Sequence, residues 1–203
     1  MLRIGIFGGT FSPPHNGHLY IAREALNRAK LDKVVFVPCG NPYHKSIPQK
    51  IDVMHRFEMT RLAISDEPEF EISDVEVEIT GPSYTAETLK KLKLLYPDGR
   101  LCLLVGGDSF LDMTGWYKPD EIFKTAEIIV ANRGGVDSER IDKAVEDYKK
   151  IYNADITVID ITPVEISATD IRERLKRGSD LSGIVPDKVL DYINETGIYR
   201  ESF

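Results

Sequence analysis

Short apolar runs alternate along the chain with longer stretches in which apolar residues return every three or four positions. The short runs, Leu2 to Phe7, Val34 to Val37, Leu101 to Val105, Ile128 to Ala131 and Ile156 to Ile161, each predict a strand. The longer stretches predict helices over Gly17 to Lys30, Val53 to Ser65, Ala86 to Tyr96, Ser138 to Tyr152, Ala168 to Arg177 and Asp187 to Glu195, with Pro97, Gly178 and Gly197 closing three of them. A run as continuously apolar as LCLLV belongs to a strand covered on both faces, so the alternation predicts a doubly wound α/β fold around a parallel sheet. The segment 70–78 is patterned differently. Its charged and apolar residues interleave with a period of two, as in an edge strand with one wet face.

In such sheets a ligand sits beyond the carboxyl ends of the strands. That rule selects the loops Gly8 to Gly17, Pro38 to Asp52, Gly106 to Pro119, Asn132 to Asp137 and Thr162 to Thr169, which hold most of the unusual residues of the chain.

Composition narrows the ligand. The 203 residues suit one α/β domain spanning 1–203, with a helical C-terminal part from about residue 167. A net charge of -7 argues against a nucleic-acid surface, because Lys and Arg neutralising phosphates supply most of that affinity. A small phosphate-bearing molecule stays compatible, since backbone N–H groups and a few local cations hold it and more distant exposed charges are screened beyond about 8 Å. No apolar window reaches the length of a membrane span and the start lacks a signal-peptide run, so a cytoplasmic protein is expected. Cys39 and Cys102 are too few and too far apart for a disulfide framework or zinc site and are expected as reduced thiols.

The first loop reads GGTFSPPHNGH. Gly8, Gly9 and Thr10 let backbone N–H groups approach a phosphate, with a helix N-terminus aimed at the same place. His15 and His18 lie three residues apart at that helix start, where both imidazoles can donate to phosphate oxygens, and Gly17 between them leaves room for a ligand's base or ribose. The bland alternative makes one histidine a cap and the other a surface residue. Lys45 is either a mobile phosphate clamp or a solvated loop lysine. Asp108 is either a ribose ligand or a helix cap, and Trp116 either stacks on a ligand ring or packs in the core. Ser167 and Thr169 open the last loop's helix, with Arg172 one turn in; they read as a capping arrangement with a surface charge, or as an anion site with a guanidinium facing it.

GGTF with HNGH resembles the first signature of the nucleotidyltransferase superfamily related to class I aminoacyl-tRNA synthetases, and ISATDIR resembles its second, ISxTxxR. The segments PSYTAETL at 82–89, GGDS at 106–109, TGWY at 114–117, and Tyr192-Ile193 with Gly197-Ile198-Tyr199 extend the likeness, over nearly the whole chain, to the bacterial nicotinate-nucleotide adenylyltransferases. That resemblance implies a Rossmann-like fold and transfer of AMP from ATP to nicotinate mononucleotide, giving deamido-NAD and pyrophosphate, with Mg²⁺ carried mainly by ATP. It implies that His15, His18, Ser167, Thr169 and Arg172 bind the ATP phosphates, that Gly8, Gly9, Thr10 and Phe11 line the nucleotide loop, and that Gly106 and Asp108 flank the adenosine. His18, His15 and Arg172 would be the catalytic set. Trp116 would stack on the pyridine ring, Thr85 and the Tyr117 backbone would meet its carboxylate, and Asn41 and Lys45 would lie near the acceptor's phosphate. Ser12 departs from the pattern, standing where the family often has an acid. A related enzyme with another acceptor, such as nicotinamide mononucleotide, and a non-catalytic nucleotide sensor are the rival readings. Association into a homo-oligomer stays open.

Overall fold

The computed structural model describes residues 1–41, 51–79, 81–134 and 138–199. Six strands, β1 (Arg3–Gly9), β2 (Lys33–Pro38), β3 (Phe70–Ile72), β4 (Arg100–Gly106), β5 (Glu127–Asn132) and β6 (Ile156–Asp160), form one sheet in the order β3-β2-β1-β4-β5-β6. Every neighbouring pair is parallel. Around the sheet lie α1 (Asn16–Arg28), α2 (Val53–Ala63), α3 (Thr85–Leu95), α4 (Gly107–Leu111), α5 (Pro119–Thr125), α6 (Ser138–Tyr152), α7 (Ala168–Lys176) and α8 (Asp187–Thr196). The six helices expected from periodicity are all present, each within two residues of its expected bounds at either end.

The strands sort their side chains by parity. Val34, Phe36, Cys102, Leu104, Ile129 and Ala131 join one core, with residues of α1, α2, α7 and α8. Val35, Val37, Leu101, Leu103, Ile128 and Val130 join the other, with residues of α3 to α6. Alternate residues of a strand point to opposite faces, and helices on both sides make both faces apolar, which is why these runs read as unbroken hydrophobic stretches.

Pairing between β1 and β4 ends at Ile6↔Leu103, whereas β1 stays with β2 as far as Gly9↔Pro38 and β4 with β5 as far as Gly106↔Ala131. The sheet therefore splits at its carboxyl edge between its two central strands. This is the point where strand order reverses and where open α/β sheets take their ligands.

Two expectations need correction. The edge strand is only Phe70–Ile72, because after Ser73 the chain turns, with Val77 N bonded to Asp74 O and Ile79 N to Glu76 O. Glu76 thereby leaves the wet face and is buried, accepting from Gly40 N at 3.2 Å and from Thr88 Oγ1 at 2.6 Å. The loop after β4 is also largely helical, holding α4 and the 3-10 turn Met113–Gly115, with α5 beyond it starting on Pro119. Five- and seven-residue helices are too short to show a 3.6-residue period, though Pro at the first helical position was a readable start signal for α5.

Candidate active site

The two glycines that end β1 serve different ends. A side chain on Gly8 would meet nothing within 4 Å, so that face is open to a ligand, but one on Gly9 would lie 2.7 Å from the Phe11 ring. Phe11 takes a left-handed backbone (φ 48) and turns its ring into the core. There it sets its edge against His18, with centroids 5.0 Å apart, so Phe11 supports His18 rather than presenting a surface of its own.

His15 occupies the N-cap position of α1. Its ring stacks on that of His18 at 3.6 Å between centroids, and its backbone N–H donates to His18 Nδ1 at 3.2 Å. An accepting Nδ1 places the proton of the neutral ring on Nε2, making Nε2 the donor that His18 can offer a ligand. His15 itself is only 6% exposed, and its Nδ1 has no hydrogen-bond partner. Burial, with a smaller push from the Arg133 guanidinium, lowers its pKa to about 4, so this ring is neutral at pH 7. The room at Gly17 belongs to His15 and not to a ligand, for a Cβ there would stand 3.0 Å from His15 Nδ1. The bland alternative thus holds in part: His15 sits at the cap, but His18 is stacked against it.

The second motif arrives beside the first. The same Cβ on Gly17 would be 3.5 Å from Cβ of Ile166, the residue before Ser167. Ser167 caps α7, accepting from Asp170 N at 3.1 Å. Arg172 is no free surface charge: Nη1 donates to Ser12 O at 2.7 Å and Nη2 to Thr169 Oγ1 at 3.1 Å. The helix starts of α1 and α7, 160 positions apart where Arg172 meets Ser12, therefore face one mouth. His15, His18, Arg133, Thr162 and Ile166 line a recess of about 100 Å³ there. Across the split, Gly106 caps α4, with Arg133 Nη2 3.8 Å from where its Cβ would be, and exposed Asp108 lies in the first turn of α4 rather than at its cap.

A second group gathers beyond β2. Asn41 and Ser83 exchange bonds, Asn41 N donating to Ser83 Oγ at 3.2 Å and Ser83 N to Asn41 O at 2.9 Å. Tyr84, which precedes Thr85 at the start of α3, lays its ring against that of Tyr117, with centroids 4.3 Å apart. Lys118 fastens the same corner, its Nζ 3.1 Å from Glu87 and 3.2 Å from Glu121. Trp116 is half-buried and packs partly on the core, while Tyr117 is 43% exposed. The loop after β2 and the turn after α4 are thus tied together through the start of α3, Asn41 by Ser83 and Tyr117 by Tyr84; Lys45 lies outside the described residues. Among the described residues no three His, Cys, Asp or Glu side chains cluster to hold a metal ion.

Sequence reading missed Arg56 and Arg133. Arg56, on α2, is 1% exposed and donates to Thr10 O at 2.9 Å, Gly40 O at 3.1 Å and Ile51 O at 3.3 Å. One guanidinium thereby ties the loop after β1 to the loop after β2. Its pKa is lowered by burial. Arg133 closes β5 at a strand's carboxyl end, the signal that could have found it.

Comparison with known proteins bears on the family and on the fold. The family model described as cytidylyltransferase-like matches residues 6–174. A nicotinate-nucleotide adenylyltransferase of Bacillus subtilis is 40% identical over 200 residues, covering 98% of this chain and all of the other. A relative from Carboxydothermus hydrogenoformans, named a probable nicotinate-nucleotide adenylyltransferase, is 42% identical over 198 residues, 98% of each chain. The fold matches that of the Plasmodium falciparum nicotinic acid mononucleotide adenylyltransferase complexed with NaAD, at a TM-score of 0.77 and 21% identity over 98% of both chains. With two helix starts meeting at the sheet's split and relatives of this identity along its whole length, the chain belongs to the nicotinate-nucleotide adenylyltransferase family.

Proposed function

We propose that this chain transfers AMP from ATP to nicotinate mononucleotide, releasing pyrophosphate and forming deamido-NAD in cytosolic NAD biosynthesis. The Arg172–Ser12 bond carries this reading, because it brings the start of α7 to the loop before α1, where the two helix starts would form one anion site beside the opening between β1 and β4. ATP would lie there with its phosphates toward His18, Ser167, Thr169 and Arg172 and its adenosine toward Gly106 and Asp108. The acceptor would lie by the start of α3 and the turn after α4, its pyridine on Trp116, its carboxylate at Thr85 and the Tyr117 backbone, and its phosphate near Asn41.

The acceptor phosphate needs no general base, since its second pKa near 6 leaves it largely dianionic at neutral pH. Its oxygen attacks the α-phosphorus in line; the new O–P bond forms as the bond to the bridging oxygen of pyrophosphate breaks, with no covalent enzyme intermediate. His18 Nε2–H donates to an α-phosphate oxygen as charge builds there, and His15, neutral and stacked, holds that ring in place. Mg²⁺ would come with the ATP substrate and would supply charge neutralisation on its phosphates.

The test is pyrophosphate release with ATP, Mg²⁺ and nicotinate mononucleotide, run beside nicotinamide mononucleotide. Release with the nicotinate acceptor at the higher kcat/KM is expected. Equal or greater use of the nicotinamide form would reassign the acceptor, and tight ATP binding without turnover on either would make the chain a nucleotide sensor.

A further inference from the structure

Ser12 is where three distant parts of the chain meet. Its hydroxyl shares a buried hydrogen bond of 2.9 Å with the Tyr199 phenol, and its carbonyl accepts from Arg172 Nη1 at 2.7 Å. Arg172 has its other terminal nitrogen on Thr169 Oγ1 at 3.1 Å. Tyr199 comes from the stretch just after α8, where Gly197 (φ 73) and Tyr199 itself (φ 70) both take left-handed backbone. That path returns the ring to the core, where it is 2% exposed, and brings only its hydroxyl up to the loop between Gly9 and His15.

We propose that Tyr199 and Ser12 form a positioning pair for the ATP half of the site: the phenol fixes the Ser12 peptide, and the Ser12 carbonyl aims Arg172. The inference rests on ATP being the donor substrate, as argued above. Tyr199 touches no substrate in this scheme; it acts through Ser12 and then through Arg172. Burial pushes the phenol up to about 12, so it stays protonated and the link is a neutral hydrogen bond at physiological pH. Asn41 and Tyr84, which anchor the acceptor side, bond to Ser83 and stack on Tyr117 rather than on Ser12, and the loop after β2 is held to the loop after β1 by Arg56 at Thr10, not at Ser12. The consequence is asymmetry: loosening Ser12 should weaken ATP and leave the acceptor alone.

Tyr199→Phe keeps the ring in the core and removes only the hydroxyl, while Ser12→Ala removes the other end of the same bond. Each is expected to raise the Kd of a non-hydrolysable ATP analogue and the KM for ATP about fivefold, the effect of losing one neutral hydrogen bond. The KM for nicotinate mononucleotide should hold. The double variant should be no weaker than either single one, because both delete one interaction. A fall in melting temperature with unchanged ATP-analogue affinity would overturn the proposal, as would equal weakening of both substrates or additive losses in the double variant. Should Tyr199→Phe fail to fold, Ser12→Ala decides by the same readouts. Absence of turnover by the wild type would sink the proposed reaction but leave the ATP-analogue measurement to decide this pair.

Discussion

The imidazole of His15 lies against that of His18 with planes only 22° from parallel, in a buried position where the Arg133 charge also reaches it. Burial first, then Arg133, holds the His15 pKa near 4, against an ordinary value of 6.5 in the unfolded chain. Between those values the unfolded chain takes up a proton that the folded one refuses, so stability falls as pH falls. From pH 7.5 to pH 5 this one ring should cost about 2 kcal/mol. The urea midpoint of His15→Gln is therefore expected to fall less steeply over that interval than the wild type's. Parallel falls would mean that the ring titrates normally.

His18 makes a different prediction. It is held by stacking on His15 and by the Phe11 edge, and its Nδ1 is taken by the His15 backbone N–H, so Nε2 is its means of acting on a phosphate. His18→Ala should lower kcat about 100- to 1000-fold, as the loss of a preorganised donor to developing charge does. Its circular dichroism and melting temperature should stay close to wild type. Turnover within threefold of wild type would remove His18 from the chemistry.

Arg133 lines the same recess as His15 and His18. Arg133→Ala removes a charge but not the burial, so an NMR titration should place His15 above its wild-type midpoint near 4 and still below 6.5. The same variant should raise the KM for ATP about tenfold, the effect of one charge-assisted hydrogen bond to phosphate. An unmoved KM would restrict Arg133 to the electrostatics of His15.

Arg56 was invisible to pattern reading for a physical reason. A lone arginine in a helical stretch reads as a solvated face, and only the fold reveals that Thr10 and Gly40, on separate loops, both turn their carbonyls to it. Arg56→Met keeps the apolar stem but leaves carbonyls of Thr10, Gly40 and Ile51 without a donor. A loss of about 3 kcal/mol in unfolding free energy is expected, with weaker binding of both substrates. That pattern, read by isothermal titration with each ligand, contrasts with the ATP-only effect expected at Tyr199.

What could be read from the residues follows the same division. The strand runs were legible because both sheet faces are covered, as Val34 to Val37 show by dividing their side chains between the two cores. The motif loops were legible because strand ends are where ligands bind and because their residues resemble a known family. The pairings within the site were not. Ser12 with Tyr199 and Ser12 with Arg172 are contacts across 187 and 160 positions, and no local period encodes them. Glu76 was misplaced because an alternating pattern cannot announce the turn at Asp74 that sends its carboxylate inward.

At the opposite, amino end of the sheet, Glu127 is the polar hub. Its carboxylate accepts from Arg3 Nη1 at 2.8 Å and Nη2 at 3.0 Å, from Arg100 Nε at 2.9 Å and from Thr157 Oγ1 at 2.9 Å. Burial works to raise its pKa, but the hydrogen bonds from Arg3 and Thr157 and the two guanidinium charges outweigh that and hold it below the usual 4.5. A depressed carboxylate stabilises the fold above the unfolded pKa, and the contribution is lost as pH falls through the folded one, so it is fully present at neutral pH and fades below about 4.5. Glu127→Gln keeps the shape and removes the charge. At pH 7 it should cost about 2–3 kcal/mol, less than a fully buried pair would, because Arg3 and Arg100 remain partly exposed and can rehydrate. The gap between variant and wild type in urea titrations should narrow as pH drops below 4.5, while KM values at pH 7 stay unchanged because the hub lies at the sheet edge opposite the site. A gap that did not narrow with pH would mean that Glu127 contributes by packing rather than by charge.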